Sequence, residues 1–239
     1  MCYIAIYNKL LLYYINMSEK QRAFPDWNLL YKNENVVNMP WYSKDLDHDL
    51  KEEIIRRNLA TTNSKINSKF LDLGTGPGTQ ALYLSELGFD VTASDLSEYA
   101  IEKAKHLSNK INFIVDDILN SNLKENEFEY VFDRGCFHVL STNSRQRYVA
   151  IIKRILKDGG ILFLKCFSEK EPGEIGPYRF SSSKIKEIFG KHFEILSIKD
   201  TVYQGTLNPL PKALFVVMKK RKTIENNKTY SKYSILSYK

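Results

Sequence analysis

Between residues 69 and 220, short apolar runs alternate with stretches whose apolar residues recur every three or four positions. The runs Lys69 to Leu73, Asp90 to Ser94, Ile111 to Val115, Glu129 to Phe132, Ile161 to Lys165, Phe193 to Val202 and Ala213 to Met218 predict strands. Helical spacing covers Gly78 to Leu87 (closed by Gly88), Ser97 to about Leu107, Ser144 to about Leu156 and Ser181 to Lys191. Asp158-Gly159-Gly160 reads as the turn that feeds the strand at Ile161. Upstream, about Asp45 to Asn58 predicts a further helix, preceded by an aromatic-rich piece with Trp27, Trp41 and Tyr42. This alternation predicts an α/β fold, a doubly wound and mostly parallel sheet with helices on both faces. Ligands of such sheets gather outside the carboxyl ends of the strands, so the residues just after each strand matter most.

The first strand runs into Asp72-Leu73-Gly74-Thr75-Gly76-Pro77-Gly78-Thr79. Its glycines permit a tight turn and let backbone N–H groups approach a ligand. A dinucleotide fingerprint would place its third glycine where Thr79 stands. Asp72, two residues ahead of Gly74, would repel a pyrophosphate but suits a ligand carrying an ammonium group. S-adenosylmethionine has that ammonium, a sulfonium and no phosphate, so charge favours it over a nicotinamide dinucleotide. Asp95 ends the second strand, where a carboxylate can accept both ribose hydroxyls, with Leu96 beside it. Asp116 and Asp117 end the third; Asp117 is the preferred partner for the adenine amine, with the Ile118 N–H for a ring nitrogen. A lone aspartate in such a place is ordinarily a cap or turn residue. Three of them in register with a glycine loop form a pattern.

With these motifs the chain resembles the class I S-adenosylmethionine-dependent methyltransferases, over about Lys69 to Lys220. The segments FLDLGTGPGTQ, TASDLS, FIVDDI and LKDGGILFL carry the resemblance. It implies a seven-stranded sheet whose last hairpin strand is antiparallel. It also implies that Asp72, Gly74, Thr75, Gly76 and Gly78 meet the methionine part of the methyl donor, Asp95 and Leu96 its ribose, and Asp117 and Ile118 its adenine. No metal is implied.

The fourth strand leads into Asp133-Arg134-Gly135-Cys136-Phe137-His138, which in this fold lies beside the transferable methyl. The segment lacks the N-P-P-[YF] type of sequence that serves amide and base nitrogens. Together with Cys166-Phe167-Ser168 and the loop Pro172 to Arg179 it looks like small-molecule methyltransferases, most of all the thiopurine and bacterial heterocycle or toxin enzymes. His138 is a candidate general base, or else a hydrogen-bonded histidine that supports the loop. Asp133 joins it as a candidate catalytic and cofactor-contacting residue, with positioning favoured over service as the base. Cys136 reads as packing, and Arg134 as the partner of Asp133 or another carboxylate. Trp41, Tyr42, Phe137, His138 and Tyr178 are candidate acceptor contacts, with ordinary packing the alternative for the aromatics.

Composition bounds the partners. The 239 residues are 43% hydrophobic and 26% charged, which excludes a mainly disordered chain. The net charge of +7 resides largely in the tail: seven basic residues and one acid fall between Lys219 and Lys239. The body is close to neutral, which weighs against a nucleic-acid partner. Three scattered cysteines fit a reducing cytoplasm. The apolar stretch 1–16 is broken by Asn8 and Lys9 and is too short to span a membrane. The expected organisation is a gene-model extension over 1–16 with Met17 as an alternative start, or else an extra element packed on the domain there, then an N-terminal lid over 17–68, the methyltransferase domain over 69–220 and a basic tail over 221–239. The expected protein is a monomer or homodimer acting on a small-molecule acceptor by in-line displacement. The rivals are methylation of RNA or protein, and a protein that binds the donor without turning it over.

Overall fold

A computed structural model of the chain describes residues 24–60, 68–173 and 175–222. The expectations for residues 1–16, for a start at Met17 and for the tail from 223 onward lie outside them. Among the described residues, eight strands form one sheet: β1 (Lys69–Leu73), β2 (Asp90–Asp95), β3 (Asn112–Val115), β4 (Phe128–Arg134), β5 (Leu156–Ser168), β6 (Arg179–Phe180), β7 (Phe193–Val202) and β8 (Lys212–Lys220). The order is β3-β2-β1-β4-β5-β8-β7, and β8 runs antiparallel to both neighbours. The expected seven strands are thus present, with the two-residue β6 as an eighth, paired in parallel to the end of β5.

Among the described residues there are six α-helices: α1 (Trp27–Asn33), α2 (His48–Arg56), α3 (Thr79–Glu86), α4 (Glu98–Lys105), α5 (Arg145–Ile155) and α6 (Ser182–Phe189), of which α1 packs on α4. Side chains of Asp26, Asp47, Ser97 and Ser181 accept backbone N–H groups at the starts of α1, α2, α4 and α6. No helix among the described residues is long and apolar enough to cross a membrane.

Alternation along the strands divides the core between the two faces. On one, Val131, Leu162, Leu164, Val216 and Met218 pack against Tyr148, Val149 and Ile152 of α5 and Ile185 and Phe189 of α6. On the other, Phe70, Phe132, Phe163 and Phe215 meet Leu50 and Ile54 of α2, Ala81 and Leu84 of α3, and Ile101 and Ala104 of α4.

The structure departs from the expected turn at Asp158-Gly159-Gly160. β5 begins at Leu156, and its register against β4 jumps from Phe128–Leu156 to Tyr130–Ile161. Gly159 has φ of +77°, and a Cβ on Gly160 would meet the Lys157 carbonyl at 2.8 Å, so the glycines let the chain bulge within the strand.

Strand order reverses at β1, which pairs with both β2 and β4. Leu73 lies opposite Ser94 on one side and Asp133 on the other, so the glycine loop opens between the ends of β2 and β4. Across this opening runs the N-terminal segment. Asn28 accepts from the Ser97 hydroxyl at 3.1 Å, and Lys103 donates to the carbonyls of Tyr31 and Glu34. Farther along, Pro40 O accepts from Thr206 N at 3.0 Å, and Gln80 Oε1 accepts from Asp47 N at 2.7 Å.

Candidate active site

Gly74, Gly76 and Gly78 all adopt positive φ. Two of them are also sterically required. A Cβ on Gly78 would lie 2.8 Å from the Ala104 Cβ, and one on Gly76 would lie 2.5 Å from the Tyr31 hydroxyl. The loop is drawn in by its neighbours: Asp95 Oδ2 accepts from Gly76 N, and Thr75 N donates to the Ser94 carbonyl, both at 2.9 Å. Asp72 Oδ2 accepts from the Thr75 hydroxyl at 2.5 Å.

Asp72 and Asp95 are buried, and neither forms an ion pair with the described residues. Burial pushes the Asp72 carboxyl up to about 6, against the opposing pull of the Thr75 hydrogen bond and the charge of Arg134. Burial also raises Asp95, against N–H groups that include those of Ser97 and Gly76.

At the end of β3 the two aspartates differ. Both Asp117 oxygens serve the local turn, accepting from Leu119 N at 2.9 Å and Asn120 Nδ2 at 2.5 Å. Asp116 Oδ1 accepts from Asn122 N, but its Oδ2 is buried with no hydrogen-bond partner. The Ile118 N–H is used by no hydrogen bond among the described residues. Leu96 and Val115, flanking these acids, are 56% and 49% exposed.

The β4 loop buries three of the candidate residues. Asp133 has no solvent exposure, and its carboxylate accepts from the N–H groups of Gly135, Cys136 and Phe137 and from the Tyr148 hydroxyl. Four donors fill it, so it shapes the loop and has no oxygen left for substrate or cofactor. Burial lifts it to about 6 even so. Phe137, expected at the acceptor, is fully buried among Tyr148, Phe180 and Phe189, because the turn at Gly135 sends it back into the core. His138 is buried between Phe167 and Tyr203, and its Nδ1 accepts from Phe167 N at 3.2 Å. Burial and then the charge of Arg134 push it down to about 3. A neutral ring with Nδ1 so engaged carries its proton on Nε2 and has no free basic nitrogen.

Arg134 finds its carboxylate in the N-terminal segment. Its Nε meets Asp47 Oδ2 at 3.1 Å, Nη1 donates to Trp41 O at 2.9 Å, and Nη2 donates to the Gln204 carbonyl. Lys165 on β5, fully buried, joins the same group at Asp47 Oδ2 (2.6 Å), Asp49 Oδ2 (2.8 Å) and Gln204 Oε1 (2.7 Å). None of Asp47, Asp49 or Lys165 stood out in the sequence. A lysine inside the apolar run Phe163 to Phe167 was the available signal.

Aromatic rings continue the wall. Tyr178, whose N–H donates to His138 O, lies 6.1 Å from Phe24; Phe24 lies 6.5 Å from Trp27, and Trp27 lies 5.7 Å from Trp41. Trp41 Nε1 donates to the Tyr31 hydroxyl over the glycine loop at 3.1 Å. Tyr42 is partly buried and belongs with Trp27 and Trp41 to the residues packed against the cluster of Tyr31, Met39 and Ala100.

The comparisons agree with this geometry. A family model described as a methyltransferase domain matches residues 70–160. An uncharacterized methyltransferase of Schizosaccharomyces pombe is 37% identical over 109 residues, which are 44% of this chain and 75% of that protein. The chain belongs to the class I S-adenosylmethionine-dependent methyltransferases. Among solved structures, one from work on conversion of a disulfide bond into a thioacetal group in echinomycin biosynthesis aligns with a TM-score of 0.67. It is 20% identical, covering 82% of this chain and 92% of that one. The 1,6-didemethyltoxoflavin-N1-methyltransferase of Burkholderia thailandensis, solved with that acceptor and S-adenosylhomocysteine, aligns with a TM-score of 0.56 at 21% identity. That alignment covers 73% of this methyltransferase and 84% of its neighbour.

The residues at the strand ends fit the family's methyl donor. Two buried acids without a cation, an orphaned carboxylate oxygen, an unused N–H and exposed Leu96 and Val115 match a ligand with an ammonium, hydroxyls and a flat apolar base.

Proposed function

We propose that this methyltransferase acts on a heteroatom of a small, flat aromatic or heterocyclic acceptor. The observation that carries the reading is the row of rings Tyr178, Phe24, Trp27 and Trp41 above the ends of β4 and β5, which suits a stacked planar guest. The toxoflavin-type neighbour, which acts on such a molecule, supports it. In this reading Asp72 and the loop Gly74, Thr75, Gly76 and Gly78 hold the methionine part of the donor. Asp95 and Leu96 hold the ribose, and Asp117 or the orphaned Asp116 oxygen, with Ile118 N–H, holds the adenine. The bound donor supplies a methyl group on a sulfonium.

The chain's own contribution is alignment and dryness. The rings and the N-terminal segment exclude water and fix the acceptor for attack at roughly 3–3.5 Å. Neither His138 nor Asp133 offers a free base, so the acceptor arrives with its own lone pair, as a thiolate, an acidic hydroxyl or a ring nitrogen. His138 and Asp133 position the β4 loop. Residues 69–220 then form the catalytic domain, 24–60 its lid, and the free thiols Cys136 and Cys166 suit a cytoplasmic enzyme.

The test is methyl transfer from labelled donor to a panel of thiols, phenols and N-heterocycles. Turnover of planar members supports the reading. Activity confined to RNA or protein, and abolished by removing residues 223–239, would replace it with the macromolecular rival. Binding of the donor without turnover of anything would leave a sensor.

A further inference from the structure

The donor's ammonium has Asp72 to meet, but its amino-acid end also carries one carboxylate. What could answer that charge is constrained by what is already committed. Within the glycine loop, Thr75 N donates to Ser94 O, Gly76 N to Asp95 and Gly78 N to Thr75 O, while Pro77 has no N–H. Of the nearby cations, Arg134 gives three of its five N–H groups to Asp47, Trp41 O and Gln204 O, and Lys103 gives two of its three to the carbonyls of Tyr31 and Glu34. Lys165 is enclosed by Asp47, Asp49 and Gln204.

Tyr31 remains. Its hydroxyl lies over Gly76 within 2.5 Å of where a Cβ would stand, and the residue is only 4% exposed. Trp41 Nε1 occupies one of its lone pairs, fixing the oxygen in place. No hydrogen bond among the described residues uses the phenolic proton. Burial, then the charge of Asp95, keeps that proton on the oxygen. The site therefore presents a buried, oriented O–H donor at the loop assigned to the methionine part, with no acceptor of its own.

We propose that the Tyr31 hydroxyl donates its proton to the carboxylate of the bound methyl donor, making α1 a direct part of the donor site. The inference rests on the placement of the donor at the glycine loop. Tyr31→Phe keeps the ring and deletes the donor atom. It is tested by calorimetric titration with S-adenosylhomocysteine and with its decarboxylated analogue, beside Asp95→Asn as a reference. Tyr31→Phe should weaken S-adenosylhomocysteine by ~10-fold or more, as expected for a lost hydrogen bond to a charged group, and leave the decarboxylated analogue within about twofold of wild type. Asp95→Asn should weaken both ligands alike. Trp41→Phe, which frees the Tyr31 oxygen, should give a smaller loss confined to the carboxylate-bearing ligand. Equal weakening of both ligands by Tyr31→Phe would make Tyr31 a packing residue and overturn the proposal. Wild-type affinity for both in Tyr31→Phe, with Asp95→Asn impaired, would overturn it while leaving the donor site standing. Wild-type affinity in Asp95→Asn as well would remove the donor site and the proposal together.

Discussion

Lys165→Met tests the frame that holds the N-terminal segment over the site. The ammonium of Lys165 is fully buried and sits within 2.8 Å of oxygens from Asp47, Asp49 and Gln204. Methionine retains most of the stem and removes the charge, leaving two buried carboxylates short of a partner. Removing one member of a buried pair costs about 3–5 kcal/mol. Asp47 keeps Arg134 at 3.1 Å, and Asp49 keeps the Thr201 hydroxyl at 2.8 Å and Lys199 at 3.1 Å. These survivors put the expected loss at the lower end, about 3 kcal/mol. At 2–4 °C per kcal/mol for a chain of this size, Tm should fall by about 6–12 °C in scanning calorimetry at neutral pH. Asp49→Asn, alone and combined with Lys165→Met, should show a coupling above about 1 kcal/mol. The pH dependence has a definite sign. Burial pushes the Asp49 carboxyl up, but Lys165 and its other donors outweigh it and hold it below the ordinary carboxylate value. The contribution is therefore complete above that ordinary value and is lost as pH falls through the folded one, so mutant and wild type should converge in acid. A loss under about 1 kcal/mol, or strict additivity with Asp49→Asn, would refute the claim that this cluster fastens the segment.

Three further outcomes follow from the site. Burial lifts Asp72 to about 6, and it must be ionised to hold an ammonium, so donor affinity should be near its maximum around neutrality and fall about tenfold per pH unit well below 6. Asp72→Asn should abolish that slope in calorimetric titrations; a slope that survives the substitution assigns it to another group. Gly76→Ala meets both a φ of +52° and the Tyr31 hydroxyl, so it should destabilise the fold by about 1–3 kcal/mol in urea melts and weaken donor binding. Wild-type stability would contradict the contact. His138→Gln should keep kcat within about tenfold, because a histidine held at about 3 takes no proton near neutrality. A loss of a thousandfold with folding intact would restore it as the base.

The strand pattern was legible because each strand is bounded by polar or glycine residues and its end carries a distinctive side chain. Lys69–Leu73 and Phe193–Val202 fall where alternation places them. The glycine loop and Asp95 were legible for the same reason, since sequence neighbours build them. Burial was not legible. Asp133 and His138 carry reactive groups, yet a turn with positive φ at Gly135 folds three N–H groups onto one and backs the other against Phe167. Tyr31 was missed because the glycine it covers lies 45 positions away, and no local spacing encodes that contact. The Asp47–Lys165 pair, 118 positions apart, was hidden in the same way. Only the lone lysine in an apolar strand hinted at a buried partner.

A crystal structure with S-adenosylhomocysteine bound tests most directly whether the acids at the strand ends form the donor site. The ribose hydroxyls should lie on Asp95, the amino-acid end beside Asp72 and Gly76, and the base over Leu96 and Val115. Ligand density elsewhere, for example in the cleft of about 380 Å³ beside Arg147 and Arg154, with the glycine loop vacant, would contradict it.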